Sequence, residues 1–90
     1  MPRILLILDD YNEMLYLQTL LKKLGFDVDS LTTTRNISDA IISFNPKFLI
    51  MTALGKKVNG IELTKEVTKR SGIPRLILLK PTTQNFSNGE

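Results

Sequence analysis

Two uninterrupted apolar runs bracket the ordered part of the chain: Ile4-Leu5-Leu6-Ile7-Leu8, closed by Asp9-Asp10, and Leu76-Ile77-Leu78-Leu79, which follows Pro74. Runs of this length with no polar residue belong to strands covered on both faces of a parallel sheet. Between them the period changes. Over 11–24 the apolar residues Met14, Leu17, Leu20, Leu21 and Leu24 recur every three or four positions, and Gly25 follows as a C-terminal cap, which predicts an amphipathic helix. Residues 26–31 alternate, predicting a short strand near an edge with one-sided burial. A second helix opens at Arg35 or Asn36, turns Ile37, Ala40, Ile41 and Phe44 inward, and stops at Asn45-Pro46.

A third strand is expected over 48–53, then a loop with two glycines. A third helix over 61–70 carries Leu63 and Val67 on one face, with Ile61 to the side and Glu66 placed to pair with Arg70. Ser71-Gly72 ends it. Strand and helix thus alternate four strands to three helices. Short links in such an alternation require parallel strands, right-handed crossovers and helices on both faces, an α/β three-layer αβα architecture. Residues 1–80 form this domain, and 81–90, rich in Thr, Gln, Asn and Ser, read as a flexible tail or linker.

Composition narrows the chemistry. Ninety residues, 42% hydrophobic and 23% charged, suffice for one small core. The chain has no Cys and no His, which removes disulfides, Cys/His zinc sites, thiol nucleophiles and imidazole bases together. The first apolar run is too short for a signal peptide or a membrane span, so a cytoplasmic location is expected. Twelve basic against nine acidic residues give +3, and the only adjacent basic pairs are Lys22-Lys23, Lys56-Lys57 and Lys69-Arg70. Such scatter argues weakly for nucleic acid.

The run Ile4-Leu5-Leu6-Ile7-Leu8-Asp9-Asp10, followed by a helix ending Leu24-Gly25-Phe26, resembles the opening of a response-regulator receiver domain. Pro46-Lys47-Phe48-Leu49-Ile50-Met51-Thr52 and Asn59-Gly60-Ile61-Glu62-Leu63 are similar, with no gap, to that family's acceptor strand and the helix after it. Ser71-Gly72-Ile73-Pro74 resembles the approach to its fourth strand. The resemblance implies a flavodoxin-like, receiver-like sheet of strand order 2-1-3-4 that lacks the last helix-strand-helix segment. Lys80-Pro81 also resembles the lysine-proline at the end of the family's fifth strand. The fourth-strand register is preferred because a short crossover from the third helix reaches only the neighbouring strand.

The resemblance also implies roles for residues. Asp9 and Asp10 match an acidic pair that helps hold magnesium. Thr52 stands where the family has its phosphoryl-accepting aspartate, and Leu79 stands where a small hydroxyl residue senses the phosphoryl group. A threonine hydroxyl supplies no carboxylate for attack or for a divalent ion. Each residue has a plainer reading. Asp9 and Asp10 could cap the first helix, since two carboxylates alone hold magnesium weakly or not at all. Thr52 is either an inert strand-end residue or bonds through its hydroxyl to Asp9 or Asp10. Lys56-Lys57 either neutralise that pair, attract an anionic partner, or form a solvated basic loop. Leu15, among Gln18, Thr19 and Lys22, is either an isolated exposed residue or an interface contact.

Without a fifth strand, the backbone of 76–79 is open on one side, and loss of a final helix bares one sheet face. Several hundred Å² of core would meet water, on the order of 10 kcal/mol at about 25 cal/mol per Å². The expected partner is therefore a second copy or an obligate signalling protein, with Leu15, Leu76, Ile77, Leu78 and Leu79 at the interface. The leading function is a non-catalytic pseudo-receiver without cofactor. Its alternatives are a receiver responding to a ligand at the acidic pocket and a nucleic-acid-binding or regulatory adaptor. No nucleophile-base pair, phosphate loop or metal cluster supports an enzyme.

Overall fold

A computed structural model describes residues 1–31, 33–35, 37–69 and 74–79. Its elements are β1 (Arg3–Ile7), α1 (Tyr11–Lys23), β2 (Asp27–Leu31), α2 (Ile37–Phe44), β3 (Phe48–Thr52), α3 (Gly60–Val67) and β4 (Arg75–Leu79). The four strands form one parallel sheet, as the alternation led one to expect, in the order β2-β1-β3-β4 that the resemblance implied. Among the described residues no fifth strand joins it. Lys80-Pro81, Ser71-Gly72-Ile73, the proposed Arg70 pairing and the 81–90 tail lie outside the described residues; α3 does carry an ion pair between Glu62 and Lys65, at 3.4 Å.

Because successive strand residues face opposite ways, β1 feeds two cores. Leu5 and Ile7 join Leu49, Met51, Ile37, Val58, Leu63 and Val67 under α2 and α3. Ile4, Leu6 and Leu8 join Met14 and Val28 under α1. β1 is therefore buried along almost its whole length. Local chemistry closes the first helix. Gly25, at φ 97°, sits in the left-handed region that glycine adopts without penalty. Its amide bonds Lys22 O and that of Phe26 bonds Leu21 O, the paired bonds of a Schellman cap.

Two expectations about burial are corrected. Leu20 and Leu24 do not face the core: they are 39% and 65% exposed, while Met14, Leu17 and Leu21 pack inward. Leu24 is the helix cap, and α1 docks over β1 and β2, with Gln18 accepting a bond from Ser30 of β2, which leaves Leu20 outside that contact. Nor is β4 buried on both faces. Ile77 and Leu78 are 41% and 39% exposed, and Leu76 and Leu79 are half-buried. The physical reason is position. β4 is the edge strand, and among the described residues the one helix on the Ile77 side lies over β1 and β2. No helix among the described residues is long and apolar enough to cross a membrane.

Candidate functional site

The carboxyl ends of β1 and β3 bring Asp9, Asp10 and Thr52 together, with Leu79 opposite Thr52 on β4. Parallel strands converge here because every crossover leaves from this end, which makes it the usual crevice of an open α/β sheet. The two aspartates part at once. Asp10 takes an extended backbone (φ −98°, ψ 118°) and accepts from Asn12 N at 3.0 Å, capping α1. Of the two carboxylates only this one caps.

Asp9 turns across the sheet to the loop between β3 and α3. Its Oδ1 accepts from the amides of Lys57 and Val58, the latter at 2.8 Å, and its Oδ2 accepts from that of Lys56 at 3.2 Å. Three successive amides converging on one carboxylate form an anion-binding nest. The Lys57 amide bond holds the Asp9 carboxyl below its ordinary 3.8; desolvation, the next largest influence, opposes it, and the Val58 and Lys56 amide bonds and the Lys57 charge add to the lowering. The loop backbone thus neutralises Asp9 mainly through N–H groups. The side-chain reading of Lys56-Lys57 gains only this last and smallest contribution.

Thr52 is buried, 8% exposed, and its Oγ1 accepts from Asp9 N at 2.9 Å. Its hydroxyl therefore bonds to Asp9 as one of the two sequence readings held, although to the main chain and not to the carboxylate. Leu79 stands beside it: the two are partners in the β3–β4 register, and Leu79 O accepts from Ala53 N at 2.9 Å. Nearby, Glu13 in the first turn of α1 has its carboxyl pushed up, chiefly by burial and then by the charge of Asp10.

Two residues at the site escaped the sequence reading. Gly55 passes so close to Asp9 that an added Cβ would lie 2.7 Å from Asp9 Cγ. Val58, fully buried, anchors the far end of the loop in the core under α3. Their signals were a glycine three residues before an apolar residue, with the polar pair Lys56-Lys57 between them.

A magnesium ion fits these residues poorly. It takes six oxygens in octahedral array, whereas Asp9 already accepts three bonds, Asp10 faces its own helix and Thr52 offers a neutral hydroxyl. Among the described residues no group of three acidic, His or Cys side chains could hold a metal. The basic pairs do not merge into one surface either. α1 runs back from the carboxyl ends of the strands, so Lys22 and Lys23 lie at the end of the sheet opposite Lys56 and Lys57. Leu15, on the outer side of α1, is 42% exposed.

No protein-family model matches the chain. In sequence it is similar to the transcriptional regulatory protein CpxR homolog of Haemophilus influenzae, 36% identical over 80 residues that make up 87% of this chain and 34% of the relative. The chain thus spans about a third of the length of the curated relative it matches. Among solved structures it is similar to the N-terminal domain of the nisin resistance regulator NsrR, described as a lantibiotic response regulator. The TM-score is 0.72 at 22% identity, over 97% of this chain and 73% of that one. At that identity the second likeness concerns the fold.

Proposed function

Since the chain belongs to the response-regulator receiver-domain family, we propose that it acts in two-component-type signalling as a pseudo-receiver, a module that works by binding other proteins without being phosphorylated. The observation that carries this reading is Thr52. At the end of β3, where the resemblance places the phosphoryl acceptor, stands a buried hydroxyl already accepting the Asp9 amide. An alcohol there lacks the carboxylate oxygen that would attack a phosphoryl donor. Among the described residues no side-chain base bonds the hydroxyl, which takes the Asp9 amide instead, so it is not an activated nucleophile either. The module is therefore non-catalytic and needs no cofactor.

Its working surface is the β4 side. Ile77 and Leu78 are exposed on an edge strand whose outer backbone groups meet no other strand among the described residues. Apolar side chains beside an unpaired strand edge invite association through strand pairing, with a second copy or with another signalling protein. The half-buried Leu76 and Leu79 continue that surface, and Leu15 offers a second contact on α1. A cytoplasmic setting goes with this role.

Two measurements test the proposal. Incubation with acetyl phosphate and magnesium followed by intact mass spectrometry should leave the mass unchanged; an acid-labile phosphoryl adduct would refute phosphorylation independence. Size-exclusion chromatography with light scattering should give about twice the 10.2 kDa chain mass, and a stable monomer that also captures no signalling partner would refute the docking role.

A further inference from the structure

We infer that Asp9 is a latch: its carboxylate is the resident anion of the amide nest formed by Lys56, Lys57 and Val58, and it holds the β3–α3 loop in one position in place of a metal ion. The inference uses neither phosphoryl chemistry nor oligomeric state, so it stands or falls apart from the proposed function.

Four observations carry it. Both carboxylate oxygens are engaged, and all three donors come from consecutive residues of one loop. The Asp9 main chain is tied separately to Thr52 Oγ1 at 2.9 Å, which aims the side chain at the loop from a fixed base. Gly55 leaves room for the carboxylate where any side chain would intrude, its Cβ position being 2.7 Å from Asp9 Cγ and 2.8 Å from Asp9 Cβ. Finally, the loop is pinned just beyond the nest by Val58 in the core, and Gly55 N donates to Val58 O at 2.8 Å, so the amides are presented as a closed turn. A divalent ion would compete with three donors for Asp9 and gain only one ligand from it. A preformed set of N–H groups around a fixed negative charge is the cheaper arrangement, because the loop needs no reorganisation to neutralise it.

The latch makes the loop surface, with exposed Leu54, Lys56 and Lys57, a fixed feature of the molecule. It also implies that the nest, once emptied, takes up a small carboxylate from solution.

Amide hydrogen exchange by NMR on the full chain tests this. In the native protein the amides of Lys56, Lys57 and Val58 are protected, and millimolar magnesium leaves them unchanged. In Asp9→Ala their exchange accelerates about tenfold or more, the loss expected for bonds to a charged acceptor. Sodium acetate, against sodium chloride at equal ionic strength, restores protection in Asp9→Ala and does nothing to the native protein. Equal exchange in both proteins, a magnesium response in the native chain, or an acetate effect indifferent to the substitution would each overturn the latch. Should Asp9→Ala not fold, Gly55→Ala provides the second route. It keeps the carboxylate but displaces it, so accelerated exchange at 56–58 supports the latch and native protection refutes it.

Discussion

Replacing Gly60 with alanine opposes two effects whose sizes can be compared from the structure. Gly60 is the first residue of α3, and its φ lies outside the left-handed region, so the helix does not require glycine for conformational reasons. Helix propensity alone then favours alanine, by up to about 1 kcal/mol in a helix interior and less in the first turn. Sterics point the other way. An added Cβ would lie 2.5 Å from the carbonyl oxygen of Thr52, 2.8 Å from Leu78 Cδ2 and 3.1 Å from Met51 Cβ. Leu78, an exposed side chain, can swing aside. The Thr52 carbonyl cannot, because it belongs to a strand paired on both sides.

Relief therefore requires α3 to back away from β3 by about 1 Å, a displacement that stretches the 3.2 Å bond from Ile61 N to Ala53 O and loosens Leu63 in the core. Overpacking of this kind costs about 1–3 kcal/mol, and a weakened backbone bond adds about 0.5–1 kcal/mol. After the propensity gain, the net loss is about 1–3 kcal/mol. For a domain of this size each kcal/mol moves the melting temperature by about 4–8 °C, so Gly60→Ala should melt roughly 5–20 °C below the native protein. Thermal and urea unfolding followed by circular dichroism give the answer. A variant as stable as the native chain, or more so, would mean that α3 does not press on β3 as described.

Three further outcomes are expected. Thr52→Val removes the acceptor of the Asp9 amide and should lower stability by about 1–2 kcal/mol in urea titration with an unchanged slope, while Thr52→Ser retains most of it; equal midpoints for valine and threonine would refute the bond. Because the folded-state pKa of Asp9 is depressed, its stabilisation is fully present above the ordinary 3.8 and is lost as pH falls through the lower folded value. The drop in melting temperature between about pH 5 and pH 2 should therefore be shallower in Asp9→Asn than in the native protein, and parallel curves would refute it. Ile77→Lys puts a charge on the exposed face of the edge strand and should reduce the light-scattering mass to that of one chain without changing the circular dichroism spectrum; an unchanged assembly would remove β4 from the interface.

Much of the architecture was legible because period and run length report directly on burial. The run at 4–8 marked the central strand, the three-and-four spacing of Met14, Leu17 and Leu21 marked α1, and Asn45-Pro46 marked the end of α2. What the pattern could not report was which neighbour covers a given apolar residue. Leu20 fits the α1 stripe as well as Leu21 does, yet only the docking of α1 over β1 and β2 decides that one is exposed and the other packed. The same holds for Ile77, whose apolar run is that of a central strand and whose place is the edge. At the candidate site, Asp9-Asp10 read either as a cap, the favoured reading, or as a metal pair. The partners that separate them are local for Asp10, two residues away at Asn12, and distant for Asp9, 47 to 49 residues along the chain. Short-range chemistry is readable from a sequence, but a loop amide that far away is not.

That division of labour bears on why the scaffold tolerates a threonine at the end of β3. Two adjacent carboxylates at a strand end repel each other and, in a site built around a cation, depend on it for neutrality. Here each finds backbone N–H groups instead, Asp10 at the start of α1 and Asp9 in the loop before α3, so the pair is compensated without any ion. The Thr52 hydroxyl completes the arrangement by accepting the Asp9 amide, a role a neutral oxygen fills without adding a third negative charge. A carboxylate at position 52 would bring that charge into a position only 8% exposed, beside an aspartate whose donors are already committed. The neutral hydroxyl at 52 and the amide-bonded aspartate at 9 are thus mutually consistent, and each makes the other less costly to keep.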